Sequence, residues 1–116
     1  MTLIELINAR KALAKIAQTA TLPFSVAYKI TKFFKGTNVD ETFYNEKITD
    51  LFKQYGEDNG EGKLIVPKEK AEEVSALAEE LAKTEVQNDI KFIAEDFAAI
   101  EISVQDCAAL LPIMEE

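Results

Sequence analysis

A chain of 116 residues, 47% of them hydrophobic, is long enough to bury roughly two thirds of its unfolded surface, so a single compact domain over residues 1–116 is expected without a metal or disulfide staple. The one cysteine, Cys107, excludes an intrachain disulfide, and the lack of histidine removes the commonest general base near neutral pH and the commonest soft-metal ligand. The net charge of −8 is split unevenly: residues 1–36 hold six cations against Glu5 alone, and residues 37–116 hold seven cations against twenty anions.

Met1 leads into Thr2, Leu3, Ile4 and Glu5 without the basic start of a secretion signal. Thr2-Leu3-Ile4-Glu5 has capping-box spacing and opens a helix. Leu3, Leu6, Ile7, Leu13, Ala14 and Ala17 share one face at about 100° per residue, which carries that helix to about Gln18. Arg10 falls within this face, where a cation must snorkel to water or meet a carboxylate.

Pro23 suits the first position of a second helix, and Gly36 is expected to end it. Val26, Ala27, Ile30, Phe33 and Phe34 project to its inner side, leaving Phe24, Tyr28, Lys29, Lys32 and Lys35 as an exposed strip of aromatics and lysines. Asp40 caps a third helix with Tyr44, Ile48, Leu51, Phe52 and Tyr55 on one face, closed by Gly56. Glu57 to Gly62 is then a turn-rich acidic loop, and Lys63 to Val66 reads as a short strand.

Pro67 opens a fourth helix to about Thr84, with Ala71, Val74, Leu77, Ala78 and Leu81 facing inward. Its outer face carries Glu69, Glu72, Glu73, Glu79 and Glu80 within about 120° of one another. Val86 to Ile93 suggests a second strand, parallel to Lys63–Val66 across a right-handed crossover. An irregular or helical stretch follows at Ala94 to Ile100. Ser103 and Asp106 then mark a last short helix that Pro112 interrupts, with Cys107 buried beside Val104, Ala108 and Leu111 as a structural thiol. The fold class is mostly α (α+β), with four to five amphipathic helices and room for a small two-stranded sheet.

No constellation of catalytic residues emerges. Adjacent carboxylates occur at Glu57-Asp58, Glu72-Glu73, Glu79-Glu80 and Glu95-Asp96, but their spacing does not build a site. A calcium-loop register with Gly62 at the sharp turn places Glu57, Asn59 and Glu61 as ligands, yet puts Lys68 where the bidentate acid belongs. Gly60-Glu61-Gly62-Lys63 lacks both the glycine spacing and the following Ser or Thr of a phosphate loop. The expectation is a non-enzymatic binding protein with no cofactor and no metal. No apolar run approaches the roughly 18 residues of a membrane span, so no membrane partner is expected, and with a lone cysteine the default address is cytoplasmic.

The order of elements resembles an uncharacterised family of small proteins from tailed phages of Gram-positive bacteria. The likeness rests on the leucine-rich first helix (Leu3 to Ala17), the short basic element (Lys29 to Lys35), the helix ending Tyr55-Gly56-Glu57, the stretch Asp58 to Lys63, the acidic helix, and Leu110-Leu111 before Glu115-Glu116. It implies a phage context, with the cytoplasm of a host cell as the address, and transfers no catalytic residue. The leading expectation is an accessory protein whose acidic helix face (Glu69, Glu72, Glu73, Glu79, Glu80) binds a protein partner, inhibiting a host nucleic-acid-handling or defence enzyme. The alternatives are a virion or assembly component that self-associates, and a nucleic-acid-binding adaptor using Phe24, Tyr28, Lys29, Lys32 and Lys35.

Overall fold

The computed structural model of the chain describes residues 1–58, 60 and 62–115, and the side chain of Leu64 also lies outside the description. The first helix, α1 (Leu3–Thr19), starts as its sequence requires. The Thr2 hydroxyl accepts from the Glu5 N–H at 3.3 Å, and the Glu5 carboxylate accepts from the Thr2 N–H at 2.8 Å. Leu3, Leu6, Ile7 and Leu13 are buried as expected, joined by Ala9, Ala12 and Ile16, while Ala14 and Ala17 are exposed. So wide an apolar surface makes α1 the centre of the fold, with neighbours on more than one side.

The second helix, α2 (Phe24–Tyr55), corrects the expectation of two helices parted at Gly36 and capped anew by Asp40. It is one helix of 32 residues. A single inward stripe explains the continuity: Val26, Ile30, Phe33, Thr37, Glu41, Tyr44, Ile48, Leu51 and Tyr55 follow one another at intervals of three or four residues, with no phase break at Gly36. A helical glycine costs only about 1 kcal/mol relative to alanine, less than the tertiary contacts spanning it contribute. Arg10 supplies those contacts. Its guanidinium donates to the Phe34 carbonyl at 2.9 Å and to the Thr37 hydroxyl, pairs with Glu41, and lies 5.0 Å from the Phe34 ring centroid. Thr37 in turn donates to the Phe33 carbonyl at 2.7 Å.

After Gly56 the chain makes a minimal antiparallel hairpin, β1 (Glu57–Asp58) with β2 (Leu64–Ile65). Gly60 and Gly62 take φ of +86° and +80° in its loop, the left-handed region where glycine meets no steric cost. Asn59 and Glu61, two of the tested calcium-loop ligands, lie outside the described residues. A 3-10 turn over Lys68–Lys70 leads into α3 (Ala71–Ala82), which has half-buried apolar residues but no buried one.

The expected parallel crossover does not form. Residues 86–91 form no strand: the Val86 N–H donates to the Met1 carbonyl at 3.0 Å, the Asn88 side chain bonds the Ile90 backbone, and Phe92 makes an isolated parallel bridge with Met114. β2 pairs instead with the nearby β1, for which the loop to be closed is far shorter. Thr2 bridges Glu85, tying the start of α1 to the end of α3.

Beyond a 3-10 turn at Ala94–Phe97 comes α4 (Val104–Leu110), capped by Ser103, whose hydroxyl accepts from the Asp106 N–H at 3.1 Å. A second 3-10 turn over Leu111–Ile113 contains Pro112. The helix is rotated relative to expectation. Leu110 and Ile113 are buried, Cys107 is exposed, and Val104 and Leu111 are 88% and 63% exposed. Asp106 reaches Lys15 of α1 at 3.1 Å, so Asp106 and Leu110 face inward and the Val104–Cys107–Leu111 side faces out.

The core is closed by edge-to-face contact of Phe33 and Phe92, with centroids 5.8 Å apart, and by Phe97 at 5.7 Å from Phe92. It occupies one end of an elongated molecule. A compact chain of this length has a radius of gyration of about 13 Å, whereas this one has 17.0 Å and a long axis of 49 Å. At 1.5 Å per residue α2 alone is about 48 Å long, and its distal half carries the hairpin and α3 as an arm.

Candidate functional surfaces

α3 runs antiparallel to the distal half of α2. The Tyr55 hydroxyl donates to Glu73 at 2.9 Å, and this bond to a carboxylate holds the phenol above its ordinary value of 10.0. Starting one turn along, Leu77, Glu80, Leu81 and Thr84 face Phe43, Lys47, Asp50, Leu51 and Gln54 across an open groove of about 450 Å³. Glu69, Glu72, Glu73, Glu79 and Glu80 are all exposed. Among the described residues, ion pairs engage none of them; the nearby Lys70 pairs with Glu57 at 3.8 Å. The acidic residues expected from sequence are therefore open to solvent, along a helix whose start lies beside the distal end of α2 and whose last turn returns to α1, where Leu81 packs against the core.

The basic strip is less uniform than its sequence. Phe24 and Tyr28 are exposed and stacked, with centroids 6.1 Å apart, and Lys32 lies 5.6 Å from the Tyr28 ring centroid. Lys29, however, is half-buried: it pairs with Asp96 at 3.0 Å and lies 5.1 Å from the Phe92 ring centroid. Asp89 and Glu115 share a shallow depression with Tyr28, Lys29 and Lys32. Of the six N-terminal cations, Arg10, Lys15 and Lys29 are each held by a carboxylate from the acidic part, so the two halves partly neutralise each other. Lys11, Lys32 and Lys35 have no carboxylate partner among the described residues.

The groove itself was missed in sequence. Its signal was the flank of α2 beside the inward stripe, where Phe43 is 44% exposed and Lys47 lies 5.6 Å from its ring centroid. Among the described residues no cluster of three metal-ligating side chains forms, and no helix is long and apolar enough to cross a membrane. No protein-family model, curated protein or solved structure matches the chain.

Proposed function

We propose that this protein is a small binding protein of phage type that presents the outer face of α3 to a basic surface on a protein partner, inhibiting a host nucleic-acid-handling or defence enzyme. The observation that carries this reading is the placement of Glu72, Glu73, Glu79 and Glu80 on α3 and of Glu69 on the turn before it: all are exposed and outside any ion pair among the described residues, with Glu73 held by the Tyr55 hydroxyl and Glu80 at the edge of the α2–α3 groove, and α3 contributes no buried residue. The four carboxylates on α3, from Glu72 to Glu80, span about 12 Å, an average of one charge per 3 to 4 Å of axis, close to the about 3.4 Å per charge of one DNA strand. A groove built for a phosphate backbone would thus meet a charge density it already accepts.

The test is affinity capture from host-cell lysate at low and high salt, comparing the native chain with a variant carrying Glu72→Lys, Glu73→Lys, Glu79→Lys and Glu80→Lys. A specific partner retained by the native protein, weakened by salt and absent with the variant supports the proposal. A partner captured equally by both proteins removes the acidic face from consideration.

A further inference from the structure

The two ends of α2 carry surfaces that complement each other yet cannot meet within one molecule. At its start, Phe24 is 84% exposed and stacks on the exposed Tyr28. Lys32 and Lys35 follow on the same helix without a carboxylate partner among the described residues. Twenty-seven residues after Phe24, Leu51 joins Leu77 and Leu81 in the apolar lining of the groove, which Asp50 and Glu80 also line. Lys47, which lines it too, is drawn over the Phe43 ring. An exposed phenylalanine, with Lys32 and Lys35 about 12 and 16 Å further along its helix, complements in polarity and charge an apolar groove whose lining carries Asp50 and Glu80. Because α2 is unbroken, it holds the two about 40 Å apart, and Phe24 cannot fold back onto the groove of its own chain.

We propose that the groove is a docking site for a second copy of this chain, with Phe24 of one molecule entering the α2–α3 groove of the next and Lys32 and Lys35 meeting Asp50 and Glu80. Each copy uses two different surfaces, so the contact is heterologous. It leaves a free groove at one end and a free Phe24 at the other, and growth continues with concentration instead of stopping at a pair. The net charge of −8 opposes the approach of copies. Salt screens that repulsion while weakening the local pairs, so complementary variants, not a salt series, decide the question.

The experiment is sedimentation velocity of the full chain across a concentration series, with two variants altered at exposed positions: one carrying Phe24→Ala and Lys32→Ala, the other Asp50→Lys and Glu80→Lys. Circular dichroism matching the parent establishes that both fold. The expected result is a parent whose average mass climbs with concentration, two variants that each stay monomeric, and an equal mixture of them that forms dimers and goes no further, since only one intact pair of surfaces remains. A parent that stays monomeric throughout, a parent that stops at a dimer, a variant that assembles as the parent does, or a mixture that stays monomeric while the parent associates would each overturn the proposal.

Discussion

Replacing Arg10 with methionine keeps the aliphatic stem in the α1–α2 seam and removes the guanidinium whose bonds span Gly36. The side chain is only 11% exposed, and the Phe34 carbonyl, the Thr37 hydroxyl and Glu41 all lose a donor. A charge-assisted hydrogen bond contributes about 1.5–3 kcal/mol when removed singly. The three share one cation, and Glu41 is 38% exposed, so solvent screening lowers its part. A total loss of about 2–3 kcal/mol follows, a large fraction of the roughly 5–15 kcal/mol by which such domains are stable. It corresponds to a fall in Tm of about 10 °C. Urea unfolding followed by far-ultraviolet circular dichroism gives the free energy, and native-state hydrogen exchange gives its location. The amides of residues 36–41 should lose protection beyond the global change, because the staple acts on that turn. A stability within about 0.5 kcal/mol of the parent, with exchange unchanged at residues 36–41, would refute the account of why α2 is continuous.

Gly36→Ala should stabilise the chain by about 0.5–1 kcal/mol, because a Cβ at Gly36 meets nothing within 4 Å and the residue lies inside a helix; destabilisation in thermal melts would return Gly36 to a helix end. Cys107 is exposed, so a thiol reagent should modify it in the folded protein at a rate near that of the denatured chain; protection until unfolding would mean that α4 is turned the other way. Thr2→Ala should cost about 1 kcal/mol through loss of the α1 cap, read from the urea midpoint. Glu5 accepts from Thr2 and its carboxyl lies below its ordinary value of 4.5. The stability this depression supplies is complete above 4.5 and lost as pH falls through the lower folded value; acid titration of the parent should show that loss, and Thr2→Ala, which keeps the backbone N–H but removes the hydroxyl's smaller part, should diminish it without abolishing it.

Local chemistry made several elements legible. The Thr2–Glu5 pair, Pro23, Gly56, Pro67 and Ser103 each act within one helical turn, and each stands at or beside the boundary it signals. The acidic face was legible for the same reason, since helical spacing alone aligns Glu72, Glu73, Glu79 and Glu80. Gly36 and Asp40 misled because their local preference for a break is worth about 1 kcal/mol, while the unbroken stripe and the Arg10 contacts act together across the same turn. That stripe was present in the sequence and is the better signal. Likewise Val104, Cys107, Ala108 and Leu111 make an apolar stripe as plausible as the one through Leu110 and Ile113, and only the docking of α4 on α1 chooses between them.

The sequence by itself determined that the chain is mostly helical, where most helices begin, that Leu3, Leu6, Ile7 and Leu13 of α1 enter the core, and that Glu72, Glu73, Glu79 and Glu80 are exposed on one helix. Periodicity and capping are properties of neighbours within a turn or two, and they need no partner to be read. Tertiary structure alone decided that α3 packs beside the distal half of α2 and returns to α1, that Lys29 is tied to Asp96 while Lys32 has no carboxylate partner among the described residues, and that a groove opens between Leu51 and Leu77. Each of these depends on which distant side chain competes for a given contact, and that competition is resolved only when the whole chain has packed.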